Sequence, residues 1–305
     1  MIAGGAGFIG SKTVNKLISL GYKVVVIDNL STGQRKNISP KAKFYLGDIR
    51  NRDLVSKVFL KEKPDVVFNL AAKVYWVEHE KDPSLDVSTS VLGTINLLEN
   101  CLKYKIKKFI FSSSISLYPH LPGERAIKET EEINIEKIPV SVFSYALAKY
   151  TAEQYVKYFH NKFGLHYIIL RYAHVYGLRR GVEAGVMSVF MKRLIEGKPL
   201  KVVGGGRQFT DYVYIDDVVR ANILAIQKGN NKIINIGYGR PITVKEIVSC
   251  FKKIADKKVK VEQTGEKSAP AGICIDISMA QRELSWKPKV SLEQGLSKIF
   301  NEYKN

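Results

Sequence analysis

The chain has 305 residues, 45% hydrophobic and 25% charged, a globular composition with room for one large domain or two unequal lobes. No apolar run reaches membrane-spanning length, and the dispersed cysteines Cys101, Cys250 and Cys274 lack ligand spacing, which reads as a metal-free, cytoplasmic protein with reduced thiols. The formal charge of +19 favours anionic partners, but the basic residues are spread along the chain and their densest cluster, around Lys252 and Lys253, has no nucleic-acid motif; neither a nucleic acid nor a membrane is expected.

The chain opens on Gly4-Gly5-Ala6-Gly7-Phe8-Ile9-Gly10, read as Gly4-x-x-Gly7-x-x-Gly10 leading into an apolar-periodic helix. Glycines there permit a tight turn, close approach of a ligand and close packing of the helix, whose N-terminal amides face a pyrophosphate. Tyr22–Ile27 reads as a buried strand, and Asp28 ends it, 18 residues beyond Gly10. A carboxylate there accepts from an adenosine ribose and repels a 2′-phosphate, so the expected cofactor is NAD rather than NADP. Only Met1, Ile2 and Ala3 precede Gly4, so either the sheet tolerates a stub or residues are missing upstream.

Strand-like and helix-like runs then alternate, the signature of a parallel sheet with covering helices. Lys43–Leu46 is a strand and Asp53–Leu60 a helix; Asp65–Ala72 reads as a continuous apolar strand ending in small residues. A single helix is expected over Ser84–Tyr104, then the strand Phe109–Ser114, an irregular stretch to Ser144, and a long helix over Tyr145–Phe163. The strand His166–Arg171, helix Val186–Glu196 and strand Leu200–Val203 follow. Beyond Gly204-Gly205-Gly206 come the strand Tyr212–Tyr214, the helix Asp216–Gln227 and shorter elements ending in an amphipathic helix, Leu292–Tyr303. The fold class is α/β, a Rossmann-type doubly wound parallel sheet with a smaller interleaved C-terminal lobe. Residues 1–172 plus 210–240 are expected to bind the cofactor, and residues 173–209 plus 241–305 the substrate.

Tyr145-x-x-x-Lys149 stacks a phenol and an ammonium on one helix face, where the cation favours phenolate and draws the tyrosine pKa towards neutral. Taken alone the pair is an ordinary solvated one. Here it follows a dinucleotide loop, and Ser114, 31 residues earlier at a strand's carboxyl end, is placed to bond a substrate oxygen.

With these motifs the chain resembles the extended short-chain dehydrogenases/reductases of the NAD-dependent epimerase/dehydratase family, over nearly its whole length. The matching stretches are Gly4–Gly10, Asp28–Leu30, Gly47–Arg50, Leu70–Ala72, Ser112–Tyr118, Tyr145–Lys149, Arg171–Gly177, Thr210–Asp217 and Leu284–Pro288. The resemblance implies that Tyr145 is the base at a sugar 4-hydroxyl, with Lys149 lowering its pKa and Ser114 orienting the oxygen. It implies cofactor contacts from Gly4, Gly7, Phe8, Ile9 and Gly10, from Asp28, Asn29, Leu30, Ser31, Thr32 and Gly33, and from Asp48 and Ile49. Leu70, Ala71 and Ala72, together with Tyr172, Ala173, Tyr145 and Lys149, complete that set. Substrate contacts are implied for Ser114, Tyr145, His174, Val203 and Arg207. The implied activity is nucleotide-sugar 4-epimerisation of the UDP-glucose/UDP-galactose type, with NAD retained. Alternatives are another sugar-nucleotide reductase or dehydrogenase, or an NAD-binding protein with a degraded substrate site. A homodimer through Ser84–Tyr104 and Tyr145–Phe163 is implied, with Leu97, Tyr150 and Tyr158 facing the partner.

Dehydratases of the family carry an Asp-Glu pair where this chain has Ile115 and Ser116. Two departures fall on the diphosphate clamp, where Thr210 and Gln263 stand in place of the usual arginines; separately, His174 and Ser90 stand where asparagines are usual. Pro119 replaces a glycine after Tyr118. Arg207, Arg179, Arg180 and Lys267 are the candidates to replace the clamp.

Overall fold

The computed structural model describes residues 1–72, 82–122, 125–178, 185–255, 259–265 and 271–304. Its centre is a seven-stranded parallel sheet of β1 (Ile2–Ala3), β2 (Val25–Asp28), β3 (Lys43–Leu46), β4 (Val66–Asn69), β5 (Lys108–Ser114), β6 (Tyr167–Tyr172) and β7 (Lys232–Ile236). The spatial order is β3-β2-β1-β4-β5-β6-β7, so the winding reverses between β1 and β4. In such sheets ligands bind outside the strands' carboxyl ends at that reversal.

The inner strands are apolar on both sides because helices cover both faces. Alternate residues feed two cores. Ile2, Val26, Phe68, Ile110 and Ile168 pack on one face. Ala3, Ile27, Val67, Phe109 and Ile169 pack on the other. The two-residue strand β1 pairs on both edges, with β2 through Ile2 and Val26 and with β4 through Ile2 and Phe68.

Beside this sheet lie shorter pairings. His174–Tyr176 runs parallel to Tyr212–Tyr214, and Leu200–Val203 parallel to Val261–Thr264. Phe209–Thr210 joins Ile242–Thr243 and Ala271–Ile275, which also receives Leu121–Pro122 and Ala126–Ile127. A third core, with Phe190, Met191, Leu200, Phe251 and Leu296, lies among these elements.

Three expectations are corrected by the structure. The fourth strand ends at Asn69 rather than Ala72. Its edge facing β1 has no partner beyond Ala3, whose carbonyl accepts from Leu70 N at 2.9 Å. The helix over Ser84–Tyr104 is divided into Pro83–Asp86, a π-helical Val87–Leu92 and Gly93–Lys103. Gly93 then lies against Ile49, where a Cβ would come within 2.5 Å of Ile49 Cδ1, and a π-bulge is one way to bring a helix to such a contact. Leu97 is fully buried among Leu98, Cys101 and Phe109, so it faces the core and no partner chain. Among the described residues, no helix is long and apolar enough to cross a membrane.

Candidate active site

At the β1–helix turn, Gly4 has φ +75° and sits against the Leu70–Ala71 backbone, where a Cβ would lie 2.6 Å from Ala71 N. At Gly10 a Cβ would lie 2.1 Å from Gly4 O, so only glycine lets the helix Phe8–Ser19 start this close to the strand. Gly7 is the helix N-cap; its cap makes no side-chain hydrogen bond, and no acidic residue occupies the first turn. That leaves an N-terminus suited to an anion.

Asp28, 8% exposed, accepts from Ala6 N through Oδ2 and from Leu30 N through Oδ1, each at 2.8 Å. It thereby fastens the glycine loop to the end of β2, and each oxygen keeps a further lone pair. The following loop folds over the same turn: Ser31 N donates to Asn29 Oδ1, and a Cβ on Gly33 would lie 2.6 Å from the Ala6 carbonyl carbon. Asn29 Nδ2 donates to Asp48 Oδ2 at 2.8 Å. Hydrogen bonds from Arg50, and then from Asn29, hold the Asp48 carboxyl down at about 2. Ile49 is buried, and its carbonyl accepts from Asn96 Nδ2 at 2.7 Å.

A cleft of about 550 Å³ opens above this loop. Gly4, Gly7, Phe8, Ile9, Gly10 and Thr32 form one wall, with Leu70 and Ala72 beside them. Ser114, Tyr145, Tyr172, Ala173 and His174 line the other side. The expected cofactor and catalytic groups therefore share one cavity. Asp28, Asn29, Leu30, Ser31, Gly33, Asp48 and Ile49 lie around the glycine loop without forming the wall, and Ala71 is packed on Gly4.

The chemical end of the cleft rests on the helix Phe143–Phe163. The Tyr145 ring faces the cavity, and its phenol hydrogen-bonds the Ser114 hydroxyl at the end of β5. Ser114 Oγ also lies 3.0 Å from Ser116 Oγ and accepts from Ser116 N. One turn along the helix, Lys149 is 1% exposed; its Nζ donates to the Ser112 carbonyl at 2.8 Å and lies 5.9 Å from the Tyr145 ring centre. Burial lowers the ammonium to about 8, opposed by Glu153 and Asp86. Burial pushes the Tyr145 phenol up to about 12, with the Ser114 hydrogen bond pulling it back. The ammonium was expected to draw the phenol towards neutral; here burial dominates and the group that opposes it is Ser114.

Near the expected substrate residues, His174 Nδ1 lies 3.2 Å from Thr210 Oγ1, and its ring centre is 5.7 Å from that of Tyr212. Burial, reinforced by His120, holds the imidazole at about 4, so it is neutral near pH 7. Val203 is 60% exposed at the end of its strand and pairs with Thr264. Arg207 is exposed after the Gly204–Gly206 turn, and neither it nor Val203 forms the cleft wall. Gln263 pairs with Val202, away from the wall. Arg179, Arg180 and Lys267 lie outside the described residues.

Several groups escaped the sequence reading. Met187, Met191, Val244, Ile299 and Tyr303 give the cleft an apolar wall, and their helical spacing announced only burial. None of the described lining residues is Asp, Glu, Lys or Arg, in a chain of net charge +19. Ser113 Oγ is buried on the cleft floor without a hydrogen-bond partner among the described residues, an acceptor or donor left for a ligand. The glycine cradle, the acid-free helix N-terminus and this hydroxyl all fit a dinucleotide.

The sequence profile of the NAD dependent epimerase/dehydratase family matches residues 1–237. The chain belongs to this family. Its cofactor is accordingly NAD. The chain is similar to a UDP-glucose 4-epimerase of Thermotoga maritima, solved with UDP-glucose, at 39% identity and TM-score 0.88 over 100% of this chain and 99% of that one. It is also similar to a UDP-N-acetylglucosamine 4-epimerase of Methanobrevibacter ruminantium, at 29% identity and TM-score 0.89 over 99% of this chain and 97% of that one. A UDP-glucuronate 4-epimerase of Thermodesulfobacterium geofontis is 30% identical over 99% of this chain and 94% of its own. These family relatives are nucleotide-sugar epimerases that differ in the sugar they are named for.

Proposed function

We propose that the protein is a nucleotide-sugar 4-epimerase acting on a UDP-linked neutral sugar of the glucose/galactose type. One observation carries the reading: the Ser114 hydroxyl bonds the Tyr145 phenol, with buried Lys149 one turn away, facing a glycine loop across the same cleft. Residues 1–172 plus 210–240 hold the cofactor in this reading, and residues 173–209 plus 241–305 enclose the substrate.

Gly4, Gly7, Phe8, Ile9 and Gly10 hold the dinucleotide pyrophosphate at the helix N-terminus, and Asp28 accepts from the adenosine ribose. When bound, NAD would supply a reversible hydride acceptor for sugar C4. Ser114 orients the 4-hydroxyl by a hydrogen bond. Tyr145 removes its proton as general base and returns it when the hydride comes back. Lys149 supplies the positive charge that makes the phenolate attainable in a buried site. The apolar wall of Met187, Met191 and Ile299 offers the sugar few polar anchors, which suits a substrate that must expose both faces of C4.

The uncharged wall also bears on the sugar. A glucuronate carboxylate entering a cleft with no described cation would remain unpaired at a cost of several kcal/mol, which favours a neutral hexose. The same feature favours a second reading, an NAD-binding protein whose substrate site no longer retains a diphosphate. The test is incubation of the purified protein with UDP-glucose, UDP-N-acetylglucosamine or UDP-glucuronate, with the C4 epimers separated by chromatography. Turnover of UDP-glucose without net NADH, lost in Tyr145→Phe, is the expected result; no turnover of any of the three would move the assignment to the second reading.

A further inference from the structure

Glu153 lies one turn beyond Lys149, as Lys149 lies one turn beyond Tyr145, so phenol, ammonium and carboxylate form one stripe on the helix Phe143–Phe163. The carboxylate is 0% exposed. Glu153 Oε1 accepts from Arg171 Nε at 2.9 Å and Oε2 from Nη2 at 2.7 Å, a bidentate pair inside the protein. Arg171 Nη1 donates to the Tyr118 oxygen at 2.9 Å, and Tyr118 donates to Asn235 Oδ1 at 2.8 Å. Arg171 is on β6 immediately before the cleft residues Tyr172 and Ala173, Asn235 is on β7, and Tyr118 is four residues past Ser114. One buried network thus ties the helix to the strand ends that surround the chemistry.

We propose that Glu153 is a positioning residue for Lys149: one turn further along the same helix face it sets a buried carboxylate beside the ammonium, and its bidentate grip on Arg171 fixes where the helix presents Lys149 and Tyr145 to Ser114. The inference rests on the roles of Tyr145 and Lys149 proposed above. Lys149 is faced by Tyr145 and Glu153 on its own helix and by Asp86 from the helix Pro83–Asp86, whose Oδ2 accepts from Ser144 Oγ at 2.8 Å. From β5 it meets the Phe111 ring, 4.9 Å from Nζ, and the Ser112 carbonyl. Arg171, Tyr118 and Tyr167 lie on the far side of Glu153. Of the groups opposing the burial of Lys149, Glu153 is the larger and Asp86 the smaller.

The test compares Glu153→Gln with the double variant Glu153→Gln/Arg171→Gln in the NAD-loaded protein. Two quantities are read: melting temperature, and titration of the Lys149 side chain by NMR of labelled lysine, which needs no turnover. Glu153→Gln alone leaves a buried arginine unpaired and lowers the melting temperature; the double variant removes both charges and regains much of it. In both, Lys149 is expected to lose its proton at lower pH than in wild type, by less in the double variant because the arginine's opposing charge is gone as well, and the alkaline limb of kcat moves with it. A Lys149 titration unchanged in the double variant would reduce Glu153 to a structural role and overturn the proposal. If the single variant does not fold, the double variant decides alone. Wild-type turnover in Tyr145→Phe would instead sink the catalytic reading while leaving the Lys149 titration informative.

Discussion

Nδ1 of His174, a residue of the cleft lining, lies 3.2 Å from the Thr210 hydroxyl oxygen, a contact between two uncharged groups. An asparagine at the first position and an arginine at the second are usual in the family the chain resembles, so we propose that a diphosphate, if bound, is held here without the arginine usual at position 210. A missing Arg–phosphate contact is worth roughly 1.5–3 kcal/mol, or about 10- to 150-fold in affinity. Arg207, three residues before Thr210, follows glycines with φ of +62°, +71° and +67°, a turn that can re-aim the next residue. It stands off the wall in this structure, so engaging a diphosphate requires that re-aiming. Arg207→Ala is expected to lower UDP affinity and kcat/KM tenfold or more. Unchanged calorimetric affinity would remove Arg207 from the clamp.

Asp28 should make NAD strongly preferred over NADP, because a 2′-phosphate would press its charge against a nearly buried carboxylate. Asp28→Ala also strips the acceptor from Ala6 N and Leu30 N, so it should weaken NAD as well as narrow the preference. Calorimetric titration of the apoprotein with each dinucleotide measures both effects; equal affinities in wild type would contradict the assignment.

Tyr145→Phe deletes only the phenolic oxygen, preserving packing and NAD binding, and is expected to lower kcat by roughly 10²–10⁴ or more. The pH profile carries a second signature. Lys149 is charged below about 8 and neutral above it, so support for the phenolate is lost as pH rises through that value. A fall in kcat centred near pH 8 is expected, with Lys149→Met lacking that limb and binding NAD more weakly. A rate that rises steadily past pH 9 in wild type would contradict this order of events.

The helices Pro83–Lys103 and Phe143–Phe163 leave Val87, Leu92, Tyr158 and Phe163 between 46% and 57% exposed. We propose that this apolar face pairs with its own copy, as an isologous contact would. Light scattering at micromolar concentration should give twice the chain mass, and Leu92→Asp with Tyr158→Asp should halve it. A monomeric wild type would set the proposal aside.

Much of the cofactor half was legible in the chain itself. Glycines at 4, 7 and 10, Asp28 at a strand end and Tyr145 one turn before Lys149 are local patterns, set by backbone sterics and helix periodicity within a few residues. That the strands succeed one another along the chain in a parallel sheet with covering helices followed from alternation of apolar strands with helices, whereas their spatial order did not. What local pattern does not contain is decided by partners far along the chain. The strands Leu121–Pro122 and Ala126–Ile127 exist only because Ala271–Ile275 arrives to pair with them. The π-helical Val87–Leu92 precedes a glycine pressed on Ile49, and Leu97 is core rather than surface because Phe109 packs there. Desolvation is likewise a tertiary quantity: that Lys149 titrates near 8, Tyr145 near 12 and His174 near 4 depends on which atoms displace water around them. The residues proposed to carry the chemistry were therefore visible in the spacing, while their charge states, and the absence of Asp, Glu, Lys and Arg from the described lining, were set by packing.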